Sequence, residues 1–331
     1  MSTANPVPET VGLTADERAI DTVRAAGAKT LLCDGFQRFR AADGFSHSRA
    51  MAFQLVLALI PGTIVLVAIA SELRWESLSN AIIRSVESLA PGPTADVFRE
   101  AFGQGTDAGT TESGWTALGV AGPALLIAGT TAFGQVERTA NRIYGVEADR
   151  PSRQKYTIAA LMMLTAGTLI GLYFLITGLG GNWIEDVGES PWVTMWWICR
   201  WPVGLGLLAG ANALVFKVSP KRSQPRLSWL AFGGLVGVAG SLLVTLLLTL
   251  YLNASEGFGQ TYGALAGFMG VLLWAYGTSI AMFYGLACAA QLEAFRAGVA
   301  APRDETKMDQ SEPDAVLVPY GTAAMHPGGS R

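Results

Sequence analysis

The feature that most constrains the fold is a run of 29 residues, 262–290, without a charged side chain. The hydrocarbon core of a bilayer is about 30 Å thick, and roughly 20 apolar residues in a helix cross it. The run also contains glycines that share one side of such a helix, and small residues there let a neighbouring helix approach closely. It therefore predicts a transmembrane helix with a packing surface. These glycines are Gly263, Gly267, Gly270, Gly277 and Gly285.

Five more apolar segments of comparable length precede this run. Only 15% of the 331 residues are charged, against about 25% in a typical soluble domain. The fifth segment carries small residues at every fourth position, among them Gly233, Gly237 and Ser241, which predicts a second packing surface. The fold class is therefore all-α, a polytopic membrane protein with six transmembrane helices. The predicted spans are residues 50–70, 115–133, 157–179, 193–216, 227–252 and 262–290.

The distribution of lysine and arginine predicts the orientation of the chain. Six spans place both termini on the same side of the membrane. If that side is the cytoplasm, its segments hold 19 of the 23 basic residues, and the opposite loops hold three. Cytoplasmic loops of membrane proteins carry such an excess. We therefore predict that both termini are cytoplasmic.

The segments around the spans receive more general predictions. Residues 1–25 lack the basic and apolar regions of a signal peptide, and we expect disordered tails at 1–25 and 297–331 on either side of a six-helix domain at 26–296. Residues 26–45 fit an amphipathic helix, which either lies on the membrane surface or leads into the first span. In the first outer loop, 71–114, apolar residues at helical spacing predict two amphipathic helices on the membrane face.

Three motifs occur in order along the chain. They are Ser48–Pro61 (SRAMAFQLVLALIP), Glu137–Glu147 (ERTANRIYGVE), and Thr261–Gly267 (TYGALAG) followed by Ala290–Glu293 (AQLE). Together they resemble motifs of the YihY/virulence factor BrkB family of bacterial inner-membrane proteins. The sequence departs from the family pattern at Phe53-Gln54, where an aromatic pair is common.

The resemblance implies six transmembrane helices in a bacterial cytoplasmic membrane, and it implies no catalytic residues. Members of the family once carried a ribonuclease BN label. A metal-dependent nuclease needs clustered histidine and aspartate ligands, whereas the two histidines here, His47 and His326, lie near opposite ends of the chain. We therefore expect a protein that is not an enzyme and binds no metal or cofactor.

Arg200 is the most conspicuous single residue, because it lies inside the fourth predicted span. A cation at this depth can face an internal cavity and hold an anionic headgroup. Alternatively, it snorkels outward among tryptophans such as Trp201 and forms cation–π contacts. The sequence leaves both interpretations open.

Four polar residues follow the second span and occupy two adjacent helix faces. Arg138 and Arg142 share one face, and Glu137 and Asn141 share the other. They predict a gate or a headgroup contact on the cytoplasmic side, or else an interfacial anchor made by positive charge alone.

Two further polar residues, Gln54 and Asn212, lie within predicted spans. Polar groups at such positions hydrogen-bond between helices, and the alternative is that they line a transport path.

The sequence favours two classes of function. The first is movement of a lipid or another amphiphile across the membrane without proton coupling, because no aspartate or glutamate lies well inside a predicted span. The alternative is a non-transporting membrane scaffold or envelope-integrity component. An intramembrane enzyme is disfavoured by the absence of HExxH and GxSxG motifs. The expected partners are membrane lipids, with a protein partner or a second copy of this chain in addition, and no nucleic acid.

Overall fold

The structure is a computed structural model that describes residues 3–12, 18–72, 112–178, 191–254, 266–299 and 301–303. Within these ranges the chain is helical and contains no β-strand. The helices are α1 (Ala19–Ala26), α2 (Ala28–Ala41), α3 (Gly44–Glu72), α4 (Glu112–Tyr144), α5 (Ser152–Met162), α6 (Thr168–Gly178), α7 (Pro191–Val218), α8 (Leu227–Ala254) and α9 (Ala266–Arg296). A π-helical turn, Met163–Gly167, joins α5 to α6.

Six helical segments of the described chain are long and apolar enough to cross a membrane. They are α3, α4, the continuous segment from α5 through α6, α7, α8 and α9. The prediction of an all-α fold with six spans is therefore confirmed. The amphipathic helices expected in 71–114 fall almost wholly outside the described residues, and so does Gly263. The cytoplasmic orientation of the termini stays a prediction.

The six spans form a closed ring in chain order. Each span packs on the next one, from α3 on α4 to α8 on α9, and α9 returns to pack on α3. The last span also contacts α2 and α4. Because α9 touches more elements than its ring neighbours alone, it is the span that organises the bundle.

The most extensive helix contact, between α8 and α9, depends on glycine. A Cβ atom added at Gly233 would overlap the carbonyl oxygen of Gly285 on α9, and one added at Gly285 would overlap the backbone of α8. Gly237 faces Ala281 on α9, and Gly277 faces Val244 on α8. The two backbones therefore approach at the small-residue surfaces of both helices.

The remaining small residues have other surroundings. Ser241 donates a hydrogen bond to Gly237 O of its own helix, at 2.9 Å. Gly270 is buried in α9, and Gly267 lies in its first turn.

Burial is concentrated at one end of the ring. In α4 most of residues 132–144 are buried, whereas Ala121 is the only buried residue of 115–128. In α9 burial is likewise densest from 281 to 294. We call this the basic end, and its surface is formed by the segments that follow or precede the spans there. These segments are residues 3–12, 145–151, 219–226, 297–299 and 301–303.

The expectation of a disordered tail at 1–25 is wrong for residues 3–12, which we call the N-terminal strap. Ala4, Val7 and Thr10 of the strap are buried. Its backbone hydrogen-bonds to other segments of the basic end, for example from Val7 N to Tyr144 O at 3.0 Å. The strap has no regular structure of its own, so its order comes from tertiary partners that local sequence patterns do not reveal. α1 also lies almost wholly inside the expected tail, which ends one residue before Ala26.

The start of the expected C-terminal tail is bound to the strap. Ala4 and Arg303 form an isolated antiparallel bridge, and Asn5 N donates to Pro302 O at 3.2 Å. The described segments on either side of the six spans therefore meet at the basic end, and an even number of spans places them on the same side.

α2 packs on the bundle as it leads into the first span. At Gly35 the two helices approach so closely that an added Cβ would lie 2.7 Å from the Cys288 Sγ of α9. Leu31 and Phe39 are buried, and Asp43, with φ 58°, turns the chain sharply into α3.

Candidate functional site

A cluster of four buried polar side chains, which we call the charge cluster, lies at the centre of the basic end. Glu293 of α9 accepts hydrogen bonds from Tyr144 Oη of α4 at 2.9 Å and from Arg222 Nη2 at 2.8 Å. Arg222 belongs to the α7–α8 connection, and its guanidinium stacks over the Tyr144 ring at 4.6 Å. The fourth member, Arg38, comes from α2. Helices far apart in sequence are therefore joined by charge-assisted hydrogen bonds.

Arg38 is wholly buried. Its Nε donates to Gln291 Oε1 at 2.8 Å, and its Nη1 donates to Asn5 O at 2.7 Å and Ile143 O at 3.2 Å. Burial lowers the pKa of the Arg38 guanidinium to about 10, against the opposing effect of Tyr144 and Glu293. Arg38 therefore stays charged at neutral pH.

Among the described residues, Arg38 Nη2 and Arg222 Nε of the charge cluster are buried without a hydrogen-bond partner. A buried donor without a partner costs about 1–3 kcal/mol. The closed arrangement of the basic end is therefore less stable than its short hydrogen bonds suggest.

The predicted residues of α4 form a second polar group beside the cluster. Glu137 is fully buried, and its Oε1 lies 3.2 Å from Arg150 Nη1. The same guanidinium donates to three carbonyl oxygens at the C-terminal end of α7, those of Val218, Ser219 and Pro220. Glu137 thus connects α4 to the end of α7 through Arg150.

Asn141, one turn further along α4, joins the α4–α5 connection to the α7–α8 connection. Its Nδ2 donates to Asp149 Oδ1 at 2.8 Å, and its Oδ1 accepts from Lys221 N at 2.8 Å. Burial raises the pKa of Asp149, but the hydrogen bond from Asn141 and the charge of Lys155 outweigh it, so the net pKa lies below its ordinary value. Glu137 and Asn141 are therefore structural ties of the basic end.

The other predicted face of α4 points outward. Arg138 is exposed and Arg142 is half-buried. Arg138 Nη1 donates weakly to Gln135 Oε1 at 3.4 Å. Gln135 Nε2 in turn lies 2.9 Å from His47 Nδ1 of α3. This face presents positive charge where we expect the cytoplasmic lipid headgroups, an arrangement that suits an interfacial anchor.

The two polar residues inside spans are both hydrogen-bonded. Gln54 Oε1 accepts from Thr131 Oγ1 of α4 at 3.0 Å, whereas Asn212 Nδ2 donates to Leu208 O of its own helix at 3.0 Å. Gln54 therefore links α3 to α4, and Asn212 satisfies its amide within α7.

Replacing Gln54 by leucine should lower stability only slightly. Thr131 Oγ1 already donates to Ala128 O at 2.8 Å, so loss of Gln54 leaves the hydroxyl satisfied. Hydrogen bonds between membrane helices average about 0.6 kcal/mol. Thermal unfolding in detergent of Gln54→Leu, Thr131→Val and the double variant measures the coupling, and a value well above about 2 kcal/mol would contradict this account.

Arg200 lies away from the basic end, on the bundle-facing side of α7. Among the described side chains between residues 194 and 210, Arg200 and Gly204 alone are buried. Gly204, one turn away on the same face, packs against Thr177 and Tyr173 of α6. The Arg200 guanidinium also lies 5.4 Å from the ring centroid of Trp201. The structure thus combines an inward-facing arginine with the cation–π contact of the alternative interpretation.

Sequence reasoning did not identify the charge cluster. A signal existed for Arg38, which is seven residues from buried Leu31 and therefore on the same helical face. The other members lie at span ends or in a connection, where charged residues are ordinary. Within the described residues, no group of three or more histidine, cysteine, aspartate or glutamate side chains could hold a metal ion.

The ring of apolar helices with its polar basic end defines a multi-pass cell-membrane protein. The chain belongs to the family described as virulence factor BrkB, which it matches over residues 35–311.

Named relatives resemble the chain over much of its length. The putative ribonuclease-like protein YfkH of Bacillus subtilis is 21% identical over 257 residues, which cover 76% of this chain and 90% of YfkH. Two UPF0761 membrane proteins of Stenotrophomonas maltophilia are 24% (strain R551-3) and 25% (Smlt0865, strain K279a) identical, and each match covers 85% of this chain. This chain spans 64% of the length of those two proteins. No solved structure matches.

Proposed function

We propose that the protein moves a lipid or another amphiphile with an anionic headgroup across the membrane without proton coupling. The observation that carries the proposal is the uneven packing of α7. In the half of α7 that is remote from the basic end, Arg200 is the one charged residue among the described side chains, and it is buried toward the bundle.

An arginine in this position is costly to insert into the membrane. Insertion of arginine at the centre of a membrane helix costs about 2.5–3.5 kcal/mol. A residue needed only for packing on α6 could be apolar, as Ala211 and Val215 are on the same face of α7. A guanidinium turned toward the bundle can instead bind a phosphate group.

The buried carboxylates of the described spans support movement without proton coupling. Glu137 is paired with Arg150, and Glu293 is paired with Arg222. Both lie in the parts of α4 and α9 nearest the basic end. A proton-coupled carrier uses a carboxylate within the pathway that can lose its partner, whereas these two carboxylates tie segments together.

Phospholipid scrambling tests the proposal. Liposomes with the purified protein receive fluorescent phosphatidylglycerol, and dithionite bleaching of the outer leaflet reports movement. We expect movement faster than in empty liposomes, and we expect Arg200→Ala to slow it by about tenfold, the factor that corresponds to 1.4 kcal/mol of lost headgroup binding.

The matched control is Arg153→Ala, because Arg153 is an exposed arginine of α5 at the basic end. It should leave the rate unchanged. The scrambling rate of fluorescent phosphatidylcholine, whose headgroup has no net charge, should depend less on Arg200. Scrambling no faster than in empty liposomes would remove the support for transport and favour the scaffold, for which a stoichiometric protein partner should co-purify.

A further inference from the structure

The N-terminal strap lies across the charge cluster and contacts α2, α4, α9 and the α7–α8 connection. Thr3 N donates to Ala41 O at the end of α2, at 3.0 Å. Val7 N donates to the last carbonyl of α4, that of Tyr144, at 3.0 Å. Thr10 Oγ1 donates to Glu293 Oε2 of α9 at 3.0 Å. These contacts place the strap over the centre of the basic end.

The charge cluster in turn binds the strap backbone. Arg222 donates to Val7 O and Pro8 O, both at 3.0 Å. Arg38 donates to Asn5 O at 2.7 Å. Both buried arginines therefore hold the strap and the helix ends at once.

Gly145 allows the close approach of the strap to the end of α4. Its φ is +69°, and an added Cβ would lie 2.7 Å from Pro6 Cα. A side chain at this position would be strained and would displace the strap.

We propose that the N-terminal strap is a releasable plug that keeps the basic end of the transport path closed. The proposal rests on the function proposed above and adds its regulation. Opening requires the strap to leave while the bundle stays folded. This is possible because the contacts that hold the strap are separate from those that join the helix ends.

The strap is held mainly by polar contacts. Of its described residues, Ala4 and Val7 are the buried apolar ones, so its departure exposes little apolar surface. The Glu293–Arg222 pair and the Glu293–Tyr144 hydrogen bond do not involve the strap. They can therefore hold the helix ends after it leaves.

Water that enters after release also offsets part of the free energy lost with the strap contacts. In the closed arrangement, Arg38 Nη2 and Arg222 Nε have no hydrogen-bond partner in the described part of the chain, and water can hydrogen-bond to both once the strap is gone. The closed and open arrangements are therefore closer in free energy than the count of strap contacts implies.

Cysteine accessibility tests release without reference to transport. The reporter is Ala290→Cys, which lies one turn from Glu293 and is wholly buried, in a background with Cys33→Ser, Cys199→Ser and Cys288→Ala. Val7→Asp should release the strap, because Val7 is 7% exposed and a carboxylate is unfavourable there. Val11→Asp is the matched control, since Val11 is 44% exposed.

We expect a water-soluble maleimide to label residue 290 about tenfold faster in Val7→Asp than in the parent or in Val11→Asp, because labelling follows the open population. Equal protection of residue 290 in folded Val7→Asp and Val11→Asp would overturn the plug. Size-exclusion chromatography verifies that each variant is folded.

A disulfide lock is the second test. Ala4 and Arg303 are an antiparallel bridge pair, and Cα atoms in such pairs lie about 4.5–5.5 Å apart, within the range of disulfides. In Ala4→Cys/Arg303→Cys, oxidation should reduce scrambling about tenfold, and reduction should restore it, while the single-cysteine variants should not respond.

The outcomes separate the two proposals. Labelling of residue 290 on strap release, with no scrambling by any form, retains the plug as a device of the fold and removes the transport function. Scrambling that is equally fast in the oxidised and reduced double-cysteine protein retains transport and overturns the plug.

Discussion

Replacing Gly233 by alanine should destabilise the bundle by about 3 kcal/mol, the upper part of the usual range for overpacking. The added methyl group would overlap the Gly285 carbonyl oxygen and the Ala289 side chain of α9. Backbone atoms cannot move away by a rotamer change, so α8 and α9 would have to separate along their shared surface. Thermal unfolding in detergent should show a markedly lower Tm.

Gly234→Ala is the matched control on the same helix. No heavy atom lies within 4 Å of a Cβ added at Gly234. The substitution replaces glycine by the best helix former, which favours a helix by about 1 kcal/mol. Its Tm should equal or exceed that of the parent. Equal Tm values for Gly233→Ala and Gly234→Ala would show that the two helices are not in the close contact described.

The spans and the small-residue surfaces could be read from the sequence because both depend on local patterns. Gly233 and Gly237 recur at helical spacing, and so do the glycines of the last span. Two such surfaces in consecutive spans can pack closely against each other. The ends of the helices were less predictable, because α4 continues to Tyr144 well past the apolar segment, and a polar helix end gives no hydropathy signal.

The charge cluster was unpredictable for a different reason. Each member has an ordinary explanation in its own segment, as a basic residue near the cytoplasm or a polar residue at a span end. Thr10 and Glu293 are separated by 283 residues, and only tertiary folding brings them together. Helical spacing places Glu137 with Asn141 and Arg138 with Arg142, but it does not reveal which of the two faces is buried.

The two ends of the ring therefore suit different roles. The basic end is closed by paired charges and the strap, whereas Arg200 lies in the part of α7 where the described side chains are mostly exposed or half-buried. A carrier that exposes its site to one side at a time needs this kind of asymmetry in each state. Under the transport function that we propose, the structure corresponds to the state closed at the basic end.

Replacing Glu293 by glutamine should lower stability by about 3–5 kcal/mol. The Arg222 and Glu293 side chains are 3% and 0% exposed, and removal of one charge from a buried pair leaves the other uncompensated. Glutamine preserves the size of the side chain, so the loss reports charge rather than a cavity. Thermal unfolding in detergent, with scrambling rates on the same preparations, is the measurement.

The exposed pair Asp21–Arg24 provides the control for Glu293→Gln. Its charged atoms are 3.9 Å apart, and the side chains of Asp21 and Arg24 are 66% and 77% exposed. Asp21→Asn should therefore change stability by less than about 1 kcal/mol. The double variant Glu293→Gln/Arg222→Gln should recover part of the loss, because the Arg222 charge is removed together with its partner, while Arg38 still lacks the nearby carboxylate. If Glu293→Gln is as mild as Asp21→Asn, the charge cluster does not tie the helix ends of the basic end together, because a buried ion pair that can lose its anion without penalty cannot be fixing the helix ends around it.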